Sequence, residues 1–281
     1  MKKQESNQGI MDKMPKSDPN AQVKETLKHI THKFMVMSGK GGVGKSSVSV
    51  NLATALATMG HRVGLMDVDI HGPDIPRMLG LKGDLKVNAA HRIAPAQYSP
   101  ILSVVSIESL MADKDAAIIW RGPAKHAAIR QFVGDVDWGD LDYLIIDAPP
   151  GTGDEPLTVA QLIKDAKAVI VTTPQEVALA DVRKSIRFCR QVNMDIFGLV
   201  ENMSGYTCPS CGQVLDIFGM GGGERTAQEQ GIPFLGRIPL DPALVAFGDS
   251  GRSIQVEVPS SPVTRAFQSM AKQVVTQSNR M

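Results

Sequence analysis

The stretch Gly39-Lys40-Gly41-Gly42-Val43-Gly44-Lys45-Ser46 constrains this chain more than any other. It fits the pattern G-x-x-x-x-G-K-[ST] in full, and its setting fits too: an apolar β-prone run, Phe34–Met37, enters it and an Ala/Leu-rich helical segment, Lys45–Met59, leaves it. Glycines at these positions let the backbone turn so that successive N–H groups face inward, and the helix N-terminus adds a partial positive charge. Such a loop cradles phosphate. Lys45 reaches the terminal phosphates of a nucleotide, the Ser46 hydroxyl, followed by Ser47, is the candidate Mg²⁺ ligand, and the backbone of Gly39 to Ser47 lines the site.

The rest of the chain repeats the strand–helix alternation. β-prone runs at Arg62–Asp67, Ile101–Ile107, Tyr143–Asp147, Ala168–Thr172, Ile196–Glu201 and Phe234–Ile238 are interleaved with helix-length segments at Pro123–Val133, Asp154–Ile163, Val177–Asn193 and Gly223–Gln230. Alternation of this kind predicts an α/β fold: a doubly wound, mostly parallel sheet with helices on both faces. Runs such as Leu144-Ile145-Ile146 are apolar on both strand faces, as a doubly covered sheet requires. Residues 1–32 are polar, carry Pro15 and Pro19, and read as a flexible extension with a short helix near Ala21–Ile30, leaving 33–281 as one domain. Near the far end, Val263, Phe267, Met270 and Val274 recur at helical spacing and read as a final helix packed on the core.

Net charge is +1 over 281 residues, which argues against a bulk electrostatic grip on nucleic acid or an anionic membrane. No run approaches the ~20 apolar residues that a membrane-spanning helix needs. Three cysteines are too few for a disulfide framework and fit a reducing cytoplasm.

Acidic residues follow the phosphate loop at strand ends. Leu144-Ile145-Ile146-Asp147 ends in a carboxylate placed to act near the metal, as in a Walker-B element, and runs into the turn-rich Ala148–Asp154. Asp67 and Asp69 read as sharing one face of the second strand, one orienting a metal-bound water and the other the attacking water. A guanine-reading Asn-Lys-x-Asp is missing where Asn202 follows the late strand, so ATP is the favoured nucleotide. Lys40 is not needed to cradle phosphate within one chain and reads as a lysine that reaches a second subunit's nucleotide.

Cys208-Pro209-Ser210-Cys211 lies among turn formers. Two thiolates at this spacing bite one metal centre, yet a closed zinc or iron–sulfur site normally needs four ligands. No histidine follows His126, and Cys189 falls inside a helix, so one chain supplies half a site. A two-fold dimer would complete four thiolates on its axis, suited to iron–sulfur or to zinc. A redox dithiol is the weaker reading, because such a pair normally opens a helix after a strand.

These motifs together carry a resemblance. The loop resembles the deviant Walker A motif of the class that includes nitrogenase iron protein and the Min and Par ATPases. Asp67–Pro76, Trp120-Arg121-Gly122-Pro123, Asp147–Asp154 and Val200–Ser204 with the following CxxC resemble the Mrp/ApbC-type iron–sulfur cluster carriers. That resemblance covers Phe34 to the end. It implies a homodimer that binds and hydrolyses ATP, holds a bridging [4Fe–4S] cluster on the paired Cys208 and Cys211, and passes it from assembly scaffold proteins to apo client proteins. Carried over by position, Lys40 would act in trans, Lys45 would hold phosphate, Ser46 would ligate Mg²⁺, Asp69 would help activate water, Asp147 would be the Walker-B carboxylate and Asn202 would contact adenine. The amino-terminal four-cysteine motif of eukaryotic relatives is missing, so no second cluster is expected. A positioning or regulatory ATPase is the rival class, and the CxxC is what separates them.

Overall fold

The computed structural model describes residues 19–70, 72–82, 86–110, 122–208 and 210–280. In chain order the elements are α1 (Pro19–Leu27), β1 (Ile30–Ser38), α2 (Lys45–Thr58), β2 (Val63–Asp67), α3 (Ile75–Met78), β3 (Lys86–Val87), β4 (Ile93–Ala94), β5 (Ala96–Ser99) and β6 (Leu102–Ser106). After a 3₁₀ turn, Ile107–Leu110, come α4 (Gly122–Asp135), β7 (Leu141–Asp147), α5 (Asp154–Leu162), β8 (Lys167–Thr172), α6 (Glu176–Gln191) and β9 (Ile196–Glu201). The chain continues through β10 (Tyr206–Thr207), β11 (Val214–Leu215), α7 (Gly222–Gln230), β12 (Phe234–Arg237), α8 (Pro242–Asp249), α9 (Ile254–Glu257) and α10 (Pro262–Ser278).

Eight strands form one sheet in the order β12-β9-β8-β1-β7-β2-β6-β5. Every pairing is parallel except that of the edge strand β5, which runs antiparallel to β6. Alternation along each central strand explains why both faces are covered. Met35 and Met37 of β1 enter the same apolar layer as Leu144 and Ile146 of β7, beneath α1, α4, α5, α6 and α7. Phe34 and Val36, with Tyr143 and Ile145, enter the opposite layer beneath α2 and α10. Val263, Phe267, Met270 and Val274 of α10 are all buried there, as their spacing predicts. The doubly wound parallel α/β architecture is therefore present.

The amino-terminal boundary differs from the sequence expectation. β1 begins at Ile30, paired with Leu141, rather than after residue 32. α1 sends Val23 and Leu27 into the first layer, and its Thr26 hydroxyl donates to the Gly134 carbonyl at 2.7 Å. Three buried apolar side chains and this bond attach residues 19–32 to the domain. Periodicity is faint in so short a helix, which is why composition alone placed it in an extension. Residues 1–18 lie outside the described residues.

Parallel strands all point their carboxyl ends to one edge, and open α/β sheets bind ligands at that edge. Ser38, Asp67 and Asp147 reach it together: Asp67 pairs with Asp147 in register, and Val36 pairs with Asp147 from the other side.

Candidate nucleotide and metal sites

The phosphate loop leaves β1 at Ser38, whose hydroxyl donates to the Lys40 carbonyl at 2.9 Å, and passes into α2 at Lys45. Gly42 and Gly44 both sit at φ +81°, the left-handed region that favours glycine. Close approach fixes two glycines as well. A Cβ on Gly39 would stand 2.4 Å from the Asp181 backbone carbon of α6, and one on Gly44 would stand 2.2 Å from Asn202 Nδ2. That Asn202 amide is buried and donates to the Val43 carbonyl at 2.9 Å. Asn202, just beyond β9, thus braces the loop directly.

One buried lysine meets two carboxylates at the site. Lys45 Nζ lies 2.7 Å from Asp147 Oδ2 and 3.4 Å from Asp69 Oδ2, with all three side chains less than a tenth exposed. Burial works against the Lys45 charge, but the Asp147 and Asp69 carboxylates outweigh it and hold the ammonium above the ordinary lysine range. Asp147 also accepts from Ser46 Oγ at 2.7 Å and from Ser49 Oγ at 2.6 Å. Ser46 and Ser49 are one helical turn apart, so α2 presents both hydroxyls to one carboxylate.

Asp67 departs from its sequence reading as a metal ligand. β2 ends at Asp67, so strand alternation does not extend to Asp69 and the two do not share a strand face. The Asp67 carboxylate is fully buried, accepting from the Asp69 N–H at 3.1 Å and from Ser106 Oγ at 3.0 Å. Burial first, then the Asp147 charge, pushes its acid constant well above the carboxylate range, against a weaker pull from these donors and Lys45. Asp69 is the member of the pair that lines the cleft.

That cleft holds about 400 Å³ and is bordered by Ser38, Gly41, Gly42, Gly44, Lys45, Ser46, Ser47, Asp69, Asp74 and Pro150. The Ala148–Asp154 loop closes one side, with the Gly151 N–H donating to the Ser38 carbonyl at 2.8 Å. Lys40 is half-exposed, and among the described residues its ammonium has no ion-pair partner. Asp74 stands at the N-cap position of α3 without making a side-chain cap, and Asp154 begins α5.

The cysteine pair caps a hairpin. β10 and β11 pair antiparallel, the Cys208 N–H donates to the Gln213 carbonyl, and the Gly212 N–H returns to the Cys208 carbonyl, both at 2.9 Å. Gly212, at φ +73°, makes the turn after Cys211. The backbone N–H groups of Ser210 and Cys211 draw the Cys208 thiol below its ordinary range, and Cys211 is exposed. Cys189 is different: it packs in α6 with its sulfur 3.4 Å from Met37 Sδ, and burial pushes its thiol up to about 12. It takes no part in the pair. Val214, Leu215, Ile217, Phe218 and Met220 are large apolar side chains left exposed around the hairpin. Among the described residues no group of three or more His, Cys, Asp and Glu converges to hold a metal.

Of the expected residues, Gly41, Gly42, Gly44, Lys45, Ser46, Ser47 and Asp69 line the cleft; Asp147 is bonded to Lys45 and Ser46, Asn202 to the loop at Val43, and Cys208 and Cys211 belong to the separate hairpin. Ser49 was not singled out from sequence, although its spacing from Ser46 carried the signal. Glu201 lay inside the Val200–Ser204 motif without a role, because two of its partners, Gly221 and Gly223, are some 20 residues on. His71, Trp120, Arg121 and Pro209 lie outside the described residues.

A glycine-turned phosphate loop at the carboxyl edge of a doubly wound sheet, with lysine, serine hydroxyls and a strand-end aspartate converging on it, defines a P-loop nucleoside triphosphatase. The family model of the NUBPL iron-transfer P-loop NTPases matches residues 29–275, and the chain belongs to that family. An iron-sulfur cluster carrier protein of Methanocaldococcus jannaschii is 48% identical over 257 residues, covering 91% of this chain and 88% of that one. The human cytosolic Fe-S cluster assembly factor NUBP2 is 45% identical, covering 89% of this chain and 94% of its own. Among solved structures, a nucleotide-binding protein of Archaeoglobus fulgidus in complex with ADP superposes with a TM-score of 0.75 at 40% identity, over 88% of this chain and 95% of that one.

Proposed function

We propose that this protein is an ATP-hydrolysing iron–sulfur cluster carrier, working as a homodimer that holds a [4Fe–4S] cluster between its Cys208 and Cys211 pairs and delivers it to apo client proteins. The observation that carries the reading is the hairpin: two accessible thiols, one with its thiolate favoured, in a segment that leaves large apolar side chains exposed. Thiolate donors suit iron–sulfur chemistry, and a second copy would supply the missing pair while covering those apolar side chains. The names of the relatives point the same way.

The nucleotide side follows from the cleft. Lys45 is held by carboxylates in the free protein, so arriving phosphates compete for it and release Asp147. Ser46 and Asp147 are the hard oxygen donors that fit Mg²⁺, which would neutralise phosphate charge when bound. Asp69 lines the cleft beside Lys45, which supports a role for it in orienting the attacking water, and Lys40 would reach the partner's nucleotide. With Asn202 Nδ2 committed to Val43, its carboxamide oxygen is the atom left for an adenine amino group. Among the described residues no helix is long and apolar enough to cross a membrane, and the cysteines are free thiols. Both accord with work in the cytoplasm.

Anaerobic reconstitution with iron and sulfide tests the reading. About four irons and four sulfides per dimer, lost in Cys208→Ala and passed on to an apoprotein, is the expected result. A colourless dimer holding one zinc, or no metal, would replace the carrier with a positioning or regulatory ATPase.

A further inference from the structure

Two consecutive residues at the end of β9 divide their bonds between the two halves of the molecule. Asn202 holds the phosphate loop at Val43, and its own N–H donates to Thr172 at the end of β8. Glu201, fully buried, faces the other way. Its Oε1 accepts from Ser204 Oγ at 2.5 Å and from the Gly221 N–H at 2.8 Å, and its Oε2 accepts from the Gly223 N–H at 2.5 Å. Ser204 opens the cysteine loop, and Gly221 and Gly223 anchor the return of the chain into α7. A buried carboxylate with three donors from both ends of one excursion is a clamp on its base.

A second line of contact runs parallel to the first. Gly39 packs against the Asp181 backbone of α6, and a Cβ on Gly222 would stand 2.6 Å from the Pro174 carbonyl and 2.7 Å from Leu179, at the start of the same helix. Both ends of the phosphate loop thus bear on elements that seat the base of the cysteine excursion. Close-packed contacts of this kind transmit a shift rather than absorb it.

We infer that Glu201 is the positioning residue that couples the phosphate loop to the cysteine hairpin, so that nucleotide occupancy changes how Cys208 and Cys211 are presented. The inference rests on the proposed function for its purpose, since a carrier must tie cluster loading or release to nucleotide state. Its geometry does not depend on the cluster.

Thiol alkylation of the metal-free protein, with and without Mg²⁺ and a non-hydrolysable ATP analogue, tests it, followed residue by residue by mass spectrometry. In the unaltered protein the analogue should change the Cys208 rate by about fivefold or more, the lower range of coupling between sites. Glu201→Gln keeps the side-chain shape but turns an amide donor toward the Gly221 or Gly223 N–H. It should bind a fluorescent ATP analogue with unchanged affinity while the nucleotide-dependent ratio collapses. A merely structural residue would alter both rates and leave the ratio. Ser204→Ala removes one of the three bonds and should lower the ratio partway; it decides the matter if Glu201→Gln does not fold. No nucleotide effect in the unaltered protein, or a full effect surviving both substitutions, would overturn the coupling. Failure to bind iron in the separate reconstitution would instead remove the carrier reading and leave this measurement standing.

Discussion

Asp67→Asn should make the nucleotide-free protein more stable, by an amount that grows with pH. The carboxylate is fully buried beside Asp147, and burial and that charge together raise its acid constant well above the usual range. In the unfolded chain the same group ionises near pH ~3.9. Between that value and its folded constant, the folded state holds one proton more than the unfolded state. Stability therefore falls as pH rises, by about 1.4 kcal/mol per unit for one proton. Asparagine removes this proton and keeps the geometry: its oxygen can accept from the Asp69 N–H, and its amide can donate to Ser106 Oγ, whose hydroxyl rotates. The difference between variant and unaltered protein should be smallest near pH 4 and grow with pH at up to about 1.4 kcal/mol per unit, levelling off once Asp67 ionises. Against a total of roughly 5–15 kcal/mol that is readily measured. Paired urea-unfolding curves at half-unit pH steps give it directly, and subtracting the two proteins cancels the other carboxylates. A difference that stays constant over this range, or shrinks as pH rises, would show that Asp67 is already ionised in the folded protein.

Three further outcomes follow from the same geometry. Lys45→Met leaves Asp147 and Asp69 buried without their cation, so the nucleotide-free protein should lose about 3–5 kcal/mol in urea unfolding as well as its nucleotide binding; a loss under about 1 kcal/mol would contradict a structural role for the pair. Iodoacetamide near pH 7.5 should label Cys208 and Cys211, Cys208 faster, and leave Cys189 untouched until the protein unfolds, so a third adduct on native protein would count against the burial described. Deleting residues 1–30 removes Val23, Leu27 and Ile30 from the core, each worth about 1.5–3 kcal/mol, and should lower the melting temperature markedly, whereas an unchanged one would restore the dispensable extension.

How much of this was legible beforehand depended on whether the signal was local. The phosphate loop, the strand ending at Asp147 and the buried face of α10 are patterns within a few residues of themselves, and each lies where its pattern predicts. Asp67 and Asp69 show the limit of the same reasoning. Alternation assigns them one face only if the strand continues, and it stops at Asp67, so one carboxylate turns to Ser106 while the other meets Lys45. The role of the Gly219–Gly223 run is not legible in the sequence, because nothing nearby reveals that Gly221 and Gly223 donate to a carboxylate some 20 residues earlier. Asn202 and Val43 are 159 positions apart, and only the parallel order of β1, β8 and β9 brings them together.

The two sites share a property that neither shows alone. At the cleft, one lysine faces two carboxylates while a third, Asp67, is held toward its neutral form, so Lys45 is still outnumbered by the carboxylates it meets. Phosphate entering there must displace a carboxylate from Lys45, which makes the charge arrangement of the bound state different from that of the free one. At the hairpin, two free thiols stand in a segment that also leaves large apolar side chains exposed. Lys40, half-exposed in the phosphate loop, is likewise a charge without an ion-pair partner among the described residues. If a second copy supplies both the missing thiols and the missing phosphate, then dimer geometry is the one variable that nucleotide and cluster both act upon. Glu201 and Asn202 are where, within each chain, the two demands meet.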